Sequence, residues 1–387
     1  MTVASYLKAK GYNTACIGKW HLGIDWARDS LDSLVFTEPI TNGPNSLGFD
    51  YFYGIPASLD IPPYFYIEND RITAAKIDTV PASPLPEFWR TGPIGNDFKH
   101  VEVLPRITEK AKEFIAENAL DKNPFLLYFP LPAPHTPILP TKAFEGKSNL
   151  TAYADFVLMV DDVVGQILNE IDNSGIRDNT IVIFTSDNGF APYVDLQAHE
   201  DAGHYPSYIY RGYKSDIYEG GHRMPFIFSW PGKVPDARVV NETVCLTDML
   251  ATFIGIFGDQ LPSNAGEDSY NILPAILGAA YNSPIREATV HHSIEGCFSI
   301  RQDEWKLVFC PGSGGWSRPT TEEIEAGTFP PVQLFNLTED NEETTNVAKQ
   351  FPDVVEGLKK MMDSYVKNGR STPGAPQQNE GETFFMR

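Results

Sequence analysis

The chain has 387 residues, 42% of them hydrophobic, and a formal net charge of -21 at pH 7. That length allows one large domain and a smaller one. So strong an excess of acid excludes a nucleic-acid binder, which needs clustered Lys and Arg against phosphate, and no apolar run is long enough to cross a membrane.

Residues 2–10 read as the end of an amphipathic helix stopped by Gly11, and residues 16–19 as a short strand. Residues 1–20 are therefore helix, turn and strand, not a secretory leader. Residues 30–100 hold many Pro, Gly, Asn and aromatic residues without a period, which predicts long surface loops with short strands. A helix follows over 106–120, a buried strand over 124–129 and a Pro-rich loop over 130–140. The long helix over 150–174, apolar at helical spacing, is capped by Gly175. The β-branched run 181–185 reads as a central parallel strand, 225–230 as a further strand and 247–257 as a helix.

Strands alternating with helices predict an α/β fold: a doubly wound, mostly parallel sheet flanked by helices over 1–283. From 284 the pattern changes to hairpin strands and a helix over 352–367, a small α+β subdomain to 368. An extended polar tail over 369–387 completes the chain. The turn near 302–304 puts 301 opposite 306 and so Cys297 opposite Cys310. A disulfide there would suit an oxidising compartment, and two half-buried thiols are the alternative.

Several residues have the chemistry of a site. In Gly18-Lys19-Trp20-His21, an extended segment would point Lys19 and His21 the same way, toward one anionic centre. His135 lies in a loop stiffened by Pro132, Pro134 and Pro137. Asp187 and Asn188 follow the strand 181–185, where ligands of open α/β sheets sit, and their oxygens suit a hard cation; an Asx turn is the alternative. Lys214, Arg211, His222 and Arg223 cluster positive charge, which either meets an anionic substrate or is neutralised by Asp216 and Glu219. Arg223 fits the second reading better, being next to an apolar strand. His204 and its neighbours Tyr205, Tyr208 and Tyr210 offer aromatic faces suited to sugar rings, or else pack their own loop. Asp161 and Asp162 are adjacent on a helix and do not face each other.

The order of these motifs resembles the type I sulfatases of the alkaline phosphatase superfamily, particularly the arylsulfatase and N-acetylgalactosamine sulfatase group. That order is Gly-Lys-Trp-His-Leu-Gly at 18–23, Pro-His-Thr-Pro at 134–137, Ser-Asp-Asn-Gly at 186–189, then Lys214 before Glu-Gly-Gly-His-Arg at 219–223. The resemblance runs to about residue 375 and includes the 297–310 hairpin. It implies that Lys19 and His21 bind the sulfate and the aldehyde hydrate of a formylglycine. His135 would contact the sulfate and protonate the leaving alcohol, and Lys214 would bridge sulfate and leaving oxygen. Asp187 and Asn188 would supply half of a Ca2+ shell, with Mg2+ as the other candidate. The implied substrate is a sulfated carbohydrate or an aryl sulfate, the aromatic loop residues favouring the carbohydrate, and the implied location is periplasmic or secreted. Substrate contacts from His204, Arg211 and His222 are expected from the cationic cluster and the aromatic loop themselves, not from the resemblance.

One departure is equally specific. Formylglycine is made from the Cys of a C-x-P-x-R motif, and none of Cys16, Cys245, Cys297 and Cys310 opens one. The paired Asp residues that complete the family's calcium shell are missing with it. The expectation is thus an N-terminally truncated sulfatase chain without its nucleophile. A non-catalytic remnant that binds sulfated glycans and a related phosphohydrolase are the competing readings.

Overall fold

The computed structural model describes residues 1–234, 237–379 and 381. They form two compact units, residues 1–180 with 197–202, and residues 181–196 with 203–387.

The first unit begins with Thr2, whose Oγ1 accepts the Ser5 N–H at 3.0 Å and starts helix α1 (Val3–Ala9). Its strands are β1 (Asn13–Lys19), β2 (Tyr51–Ile55), β3 (Ile67–Glu68), β4 (Arg71–Ile72), β5 (Ile77–Val80), β6 (Gly92–Gly95) and β7 (Phe125–Tyr128). Five of them make one sheet in the order β4-β3-β2-β1-β7, and β5 pairs with β6 apart from it. β2 and β7 run parallel to β1 on either side, while β3 and β4 add antiparallel. The sheet is therefore mixed: parallel where it carries the motifs and antiparallel at the β3–β4 edge.

β1 is apolar at its centre, Ala15 to Ile17, and buried from Thr14 to Gly18 because it has a neighbour on each side. Helix α2 (Val103–Asn118) turns Val103, Leu104, Ile107, Ala111 and Ile115 inward at helical spacing. It packs on β1 and on helix α3 (Ala152–Asn173), capped by Thr151 at its start and ended by Gly175 at φ +70°. In the short helix α4 (Leu196–Asp201), His199 sets Nε2 3.0 Å from Thr151 Oγ1. Over 30–100 the expected short strands are present as β2 to β6, but the expectation that the segment lies at the surface is corrected in part. Phe52, Tyr53, Tyr64, Phe65, Tyr66 and Ile67 are among the most buried side chains. They lie in or beside strands too short to show a period.

The second unit holds β8 (Val182–Thr185) and β9 (Phe226–Ser229), which pair antiparallel with each other. β8 is thus not the central parallel strand expected of 181–185. A β-branched run reports a strand that wants cover and says nothing about the direction of its partner. Short helices α5 (Glu219–His222), α6 (Met249–Ile256) and α7 (Leu273–Leu277) follow. A four-stranded antiparallel sheet is then built from β10 (Thr289–His292), β11 (Phe298–Gln302), β12 (Trp305–Val308) and β13 (Gln333–Asn336) in chain order. Helix α8 (Thr321–Ala326) lies between β12 and β13 in the chain. The last helix, α9 (Pro352–Asn368), buries Leu358 and Met362 against Ile300, Leu307 and Leu334 of the sheet. Arg301 stands opposite Lys306, as the turn predicts, and Cys297 and Cys310 form a disulfide with Cα atoms 5.8 Å apart. Of the tail expected from 369, residues 380 and 382–387 lie outside the described residues. Its start is docked: Arg370 is buried and donates to Ser263 O at 3.0 Å. Among the described residues no helix is long and apolar enough to cross a membrane.

Candidate active site

In the first unit the expected site residues gather at the carboxyl end of β1. Gly18, at φ +137°, brings β1 so close to the 130–140 loop that a Cβ would lie 2.2 Å from Pro130 O. The same approach lets Lys19 N–H donate to Pro130 O at 2.8 Å. Trp20 turns into the core, 5% exposed, with its indole N–H on Gly23 O. The extended-strand argument holds only as far as Lys19, because β1 ends there and His21 has φ +56°. A turn carries His21 across to the segment that follows β2. His21 N–H donates to Pro56 O at 3.1 Å, and the Ser58 N–H donates to His21 Nδ1 at 2.8 Å.

Ser58 is buried and also meets His135, its Oγ 3.1 Å from His135 Nδ1. The same Nδ1 lies 2.8 Å from Thr136 O, which can only accept, so in a neutral ring Nδ1 bears the hydrogen. His21 is the reverse, with Nδ1 accepting and the proton on Nε2. Asp60 stands behind His135, Oδ1 at 4.0 Å from Nδ1, and pairs through Oδ2 with Arg90 at 2.5 Å. Sequence reasoning missed Ser58, Asp60 and Arg90. Ser58 was within reach, since it follows a parallel strand beside β1 at the end where such sites form.

In the second unit Asp187 follows β8 and is exposed, its Oδ1 accepting the Asn188 N–H at 3.0 Å. That bond reaches only the next residue; an Asx turn would reach Gly189, whose N–H donates to Gly221 O at 3.2 Å instead, so the turn that was the alternative to a metal role is not formed through Asp187. The donors are hard oxygens of the right kind, yet they are two where calcium takes about six to eight. Among the described residues no three His, Cys, Asp or Glu side chains gather as a metal group. The pair fits part of a hard-cation shell.

Gly189 then passes against α5 so tightly that a Cβ would lie 2.0 Å from Gly220 O, and the Lys214 N–H donates to Phe190 O at 2.9 Å. The remaining cationic residues divide by partner. Arg223 pairs with Glu219 at 3.5 Å, as its position beside an apolar strand implies. Arg211 donates to Glu343 O at 2.7 Å and covers the Tyr218 ring at 3.9 Å. His222 lies 4.1 Å from the His291 ring, with its Nε2 buried and lacking a hydrogen-bond partner. Burial, with the Lys306 charge adding, pushes His222 down to about 4. Arg211 and His222 thus stand in the packing of this unit and not on an open binding face, whereas His204 is exposed.

Lys306 explains much of this arrangement. It is fully buried on β12, with its ammonium 3.0 Å from Glu219 and 2.8 Å from Glu343. Burial pushes Glu219 up, but Lys306, Arg301 and Arg223 outweigh it and hold the carboxyl below its ordinary range. Glu343 is raised by burial, which the one ammonium does not overcome. Its Oε2 accepts the Glu219 N–H at 2.6 Å and so holds the first turn of α5.

The chain is similar to known proteins over most of its length. The chain is 32% identical to an N-acetylgalactosamine-6-O-sulfatase of Bacteroides thetaiotaomicron, covering 94% of this chain and 76% of that one. It is 28% identical to the N-acetylgalactosamine-6-sulfatase of Canis lupus familiaris, covering 98% and 70%. A solved Bacteroides thetaiotaomicron chain, described in connection with the metabolism of multiple glycosaminoglycans, superposes with a TM-score of 0.80 at 32% identity. That match covers 93% of this chain and 81% of that one. A sulfatase family model matches residues 1–259, two thirds of the chain and all the candidate residues above, and the protein belongs to the sulfatase family.

Proposed function

We propose that the protein is a sulfuric ester hydrolase that releases sulfate from a sulfated carbohydrate by a calcium-assisted formylglycine mechanism. The observation that carries this reading is the Ser58 link between His21 and His135 beside Lys19. One imidazole offers an Nε2–H and the other a basic Nε2. A sulfate ester calls for both: a donor to charge developing on its oxygens, and a group that can hand a proton to the departing alcohol. Lys19 and Lys214 add positive charge in a chain of net charge -21. Asp187 and Asn188 would hold calcium, which when bound supplies Lewis-acid charge toward the sulfate oxygens. The substrate named for two relatives, 6-sulfated N-acetylgalactosamine, favours a carbohydrate over an aryl sulfate.

The nucleophile would come from beyond these 387 residues, together with the paired aspartates of the calcium shell. No cysteine opens C-x-P-x-R, Cys16 is buried in β1, and Cys297 and Cys310 are joined. Among the described residues β7 and β8 each pair along one edge only, which leaves each able to take a further strand. The test is expression of the 387 residues and of the longest in-frame product of the gene, assayed with 6-sulfated N-acetylgalactosamine and 4-methylumbelliferyl sulfate. The 387 residues should bind sulfate without turnover, and the longer chain, carrying an Asp-Asp strand and C-x-P-S-R, should hydrolyse the ester. A longer frame without that motif, or one inactive on both esters, would leave a non-catalytic glycan binder. Faster hydrolysis of p-nitrophenyl phosphate than of the sulfate esters would make it a phosphohydrolase.

A further inference from the structure

We infer that Tyr193 and Trp316 form a stacking platform for a sugar ring beside Lys214. The inference rests on the carbohydrate-sulfate reading above and assigns where the sugar itself is held. Both rings are 43% exposed and they touch each other, with centroids 5.7 Å apart and planes tilted by 57°. Single exposed aromatics are ordinary on a protein surface; a mutually packed pair held from both sides of one loop is not.

The holding is specific to Lys214. On one side the Lys214 N–H donates to Phe190 O at 2.9 Å, three residues before Tyr193. On the other, Asp216, fully buried two residues after Lys214, accepts the Trp316 N–H at 2.8 Å and the Ser317 N–H at 3.0 Å through one carboxylate oxygen. The backbones meet as well. A Cβ on Gly315 would lie 2.5 Å from Ser215 O, and that carbonyl accepts the Ile294 N–H at 3.0 Å. Ser215 itself is held at φ +81°, a conformation that a serine keeps only when its surroundings impose it. The Cys297–Cys310 disulfide fixes the chain just ahead of the segment that leads to Trp316. Two ring faces are therefore fixed, at little further entropic cost, to the segment that carries the lysine that the site reading places on the sulfate.

The chemistry favours a pyranose. Its axial C–H groups form an apolar face that lies flat on an aromatic ring, and that contact needs no charge. In a protein of net charge -21, an anionic glycan gains little from long-range attraction. Contact with an uncharged sugar face is then the term that can add affinity for a glycan over inorganic sulfate.

The test is calorimetric titration of the 387-residue protein, in calcium-containing buffer, with inorganic sulfate and with a disaccharide bearing 6-sulfated N-acetylgalactosamine. Trp316→Ala and Tyr193→Ala should each weaken the disaccharide, Trp316→Ala by about tenfold, and leave inorganic sulfate unchanged. Trp316→Phe should recover most of the loss. Equal disaccharide binding by parent and Trp316→Ala overturns the platform, and so does an equal loss of sulfate and disaccharide in that variant. A parent that binds sulfate but no disaccharide overturns the platform and leaves the sulfate site standing. A parent that binds neither overturns both readings.

Discussion

A backbone N–H can only donate and a carbonyl oxygen can only accept, and this places the protons on two histidines of the first unit. Ser58 N–H points at His21 Nδ1, so the neutral ring of His21 carries hydrogen on Nε2. Thr136 O faces His135 Nδ1, so His135 carries it on Nδ1. The two rings are 114 residues apart in sequence and share one serine. Long-range nitrogen–proton NMR correlations on the protein above pH 7 should therefore report opposite tautomers for His21 and His135. Finding both rings protonated on the same nitrogen would contradict the arrangement. Ser58→Ala keeps the N–H to His21 and removes only the Oγ to His135. It should leave the His21 tautomer unchanged and alter the His135 signals alone. None of this was available from residue order. Lys19, His21 and His135 could be picked out by type and context, but the turn at His21 and the Ser58 bridge depend on a backbone conformation that a strand periodicity does not encode.

At the scale of elements, the segment carrying Lys214 is held by a buried ion cluster that joins α5 to β12. Lys306 is the only cation within 4.0 Å of both buried carboxylates among the described ion pairs, at 3.0 Å from Glu219 and 2.8 Å from Glu343. Lys306→Met keeps the volume and removes the charge, leaving two acids buried near each other with Arg301 and Arg223 against Glu219 only. Removing one partner of a buried pair costs about 3–5 kcal/mol, and urea unfolding should show a loss of that order. Glu343→Gln should cost less, because Lys306 then still neutralises Glu219. Equal stability of Lys306→Met and parent would mean that the cluster is hydrated. The sequence already brought Glu219 into view as a neutraliser of the local cations. Its deeper partners, Lys306 and Glu343, lie 87 and 124 residues further along and in no motif. Elements with a strong local period, such as α3 and α9, were readable to within a few residues. So was the β11–β12 register, because a short turn leaves few alternatives. The partner of β8 was not, since pairing is decided by strands distant in the chain.

For the molecule as a whole, each unit encloses a histidine that folding keeps neutral, and this sets an acid limit on stability. His100 in the first unit is packed on Trp89 at 4.3 Å and Tyr64 at 4.6 Å, and burial pushes it down to about 4 from 6.5. His222 in the second is pushed equally far, by burial and then by Lys306. A base whose pKa is lower folded than unfolded refuses a proton that the unfolded chain accepts. Its contribution is therefore whole above pH 6.5, erodes as pH falls from 6.5 toward 4, and erodes no further below that. Glu343, whose pKa is raised, works in the opposite direction in the second unit, so His100 is the cleaner probe. Its Nε2 is buried without a hydrogen-bond partner, and its ring neighbours Tyr64, Trp89 and Phe98 are uncharged aromatics. His100→Phe should then be neutral to stabilising at pH 7. Its advantage should grow below pH 6.5 by at most about 1.4 kcal/mol per pH unit, the slope for one proton. Thermal melts of parent and variant across that range check this. Parallel curves would mean that His100 takes up its proton in the folded state as readily as in the unfolded one.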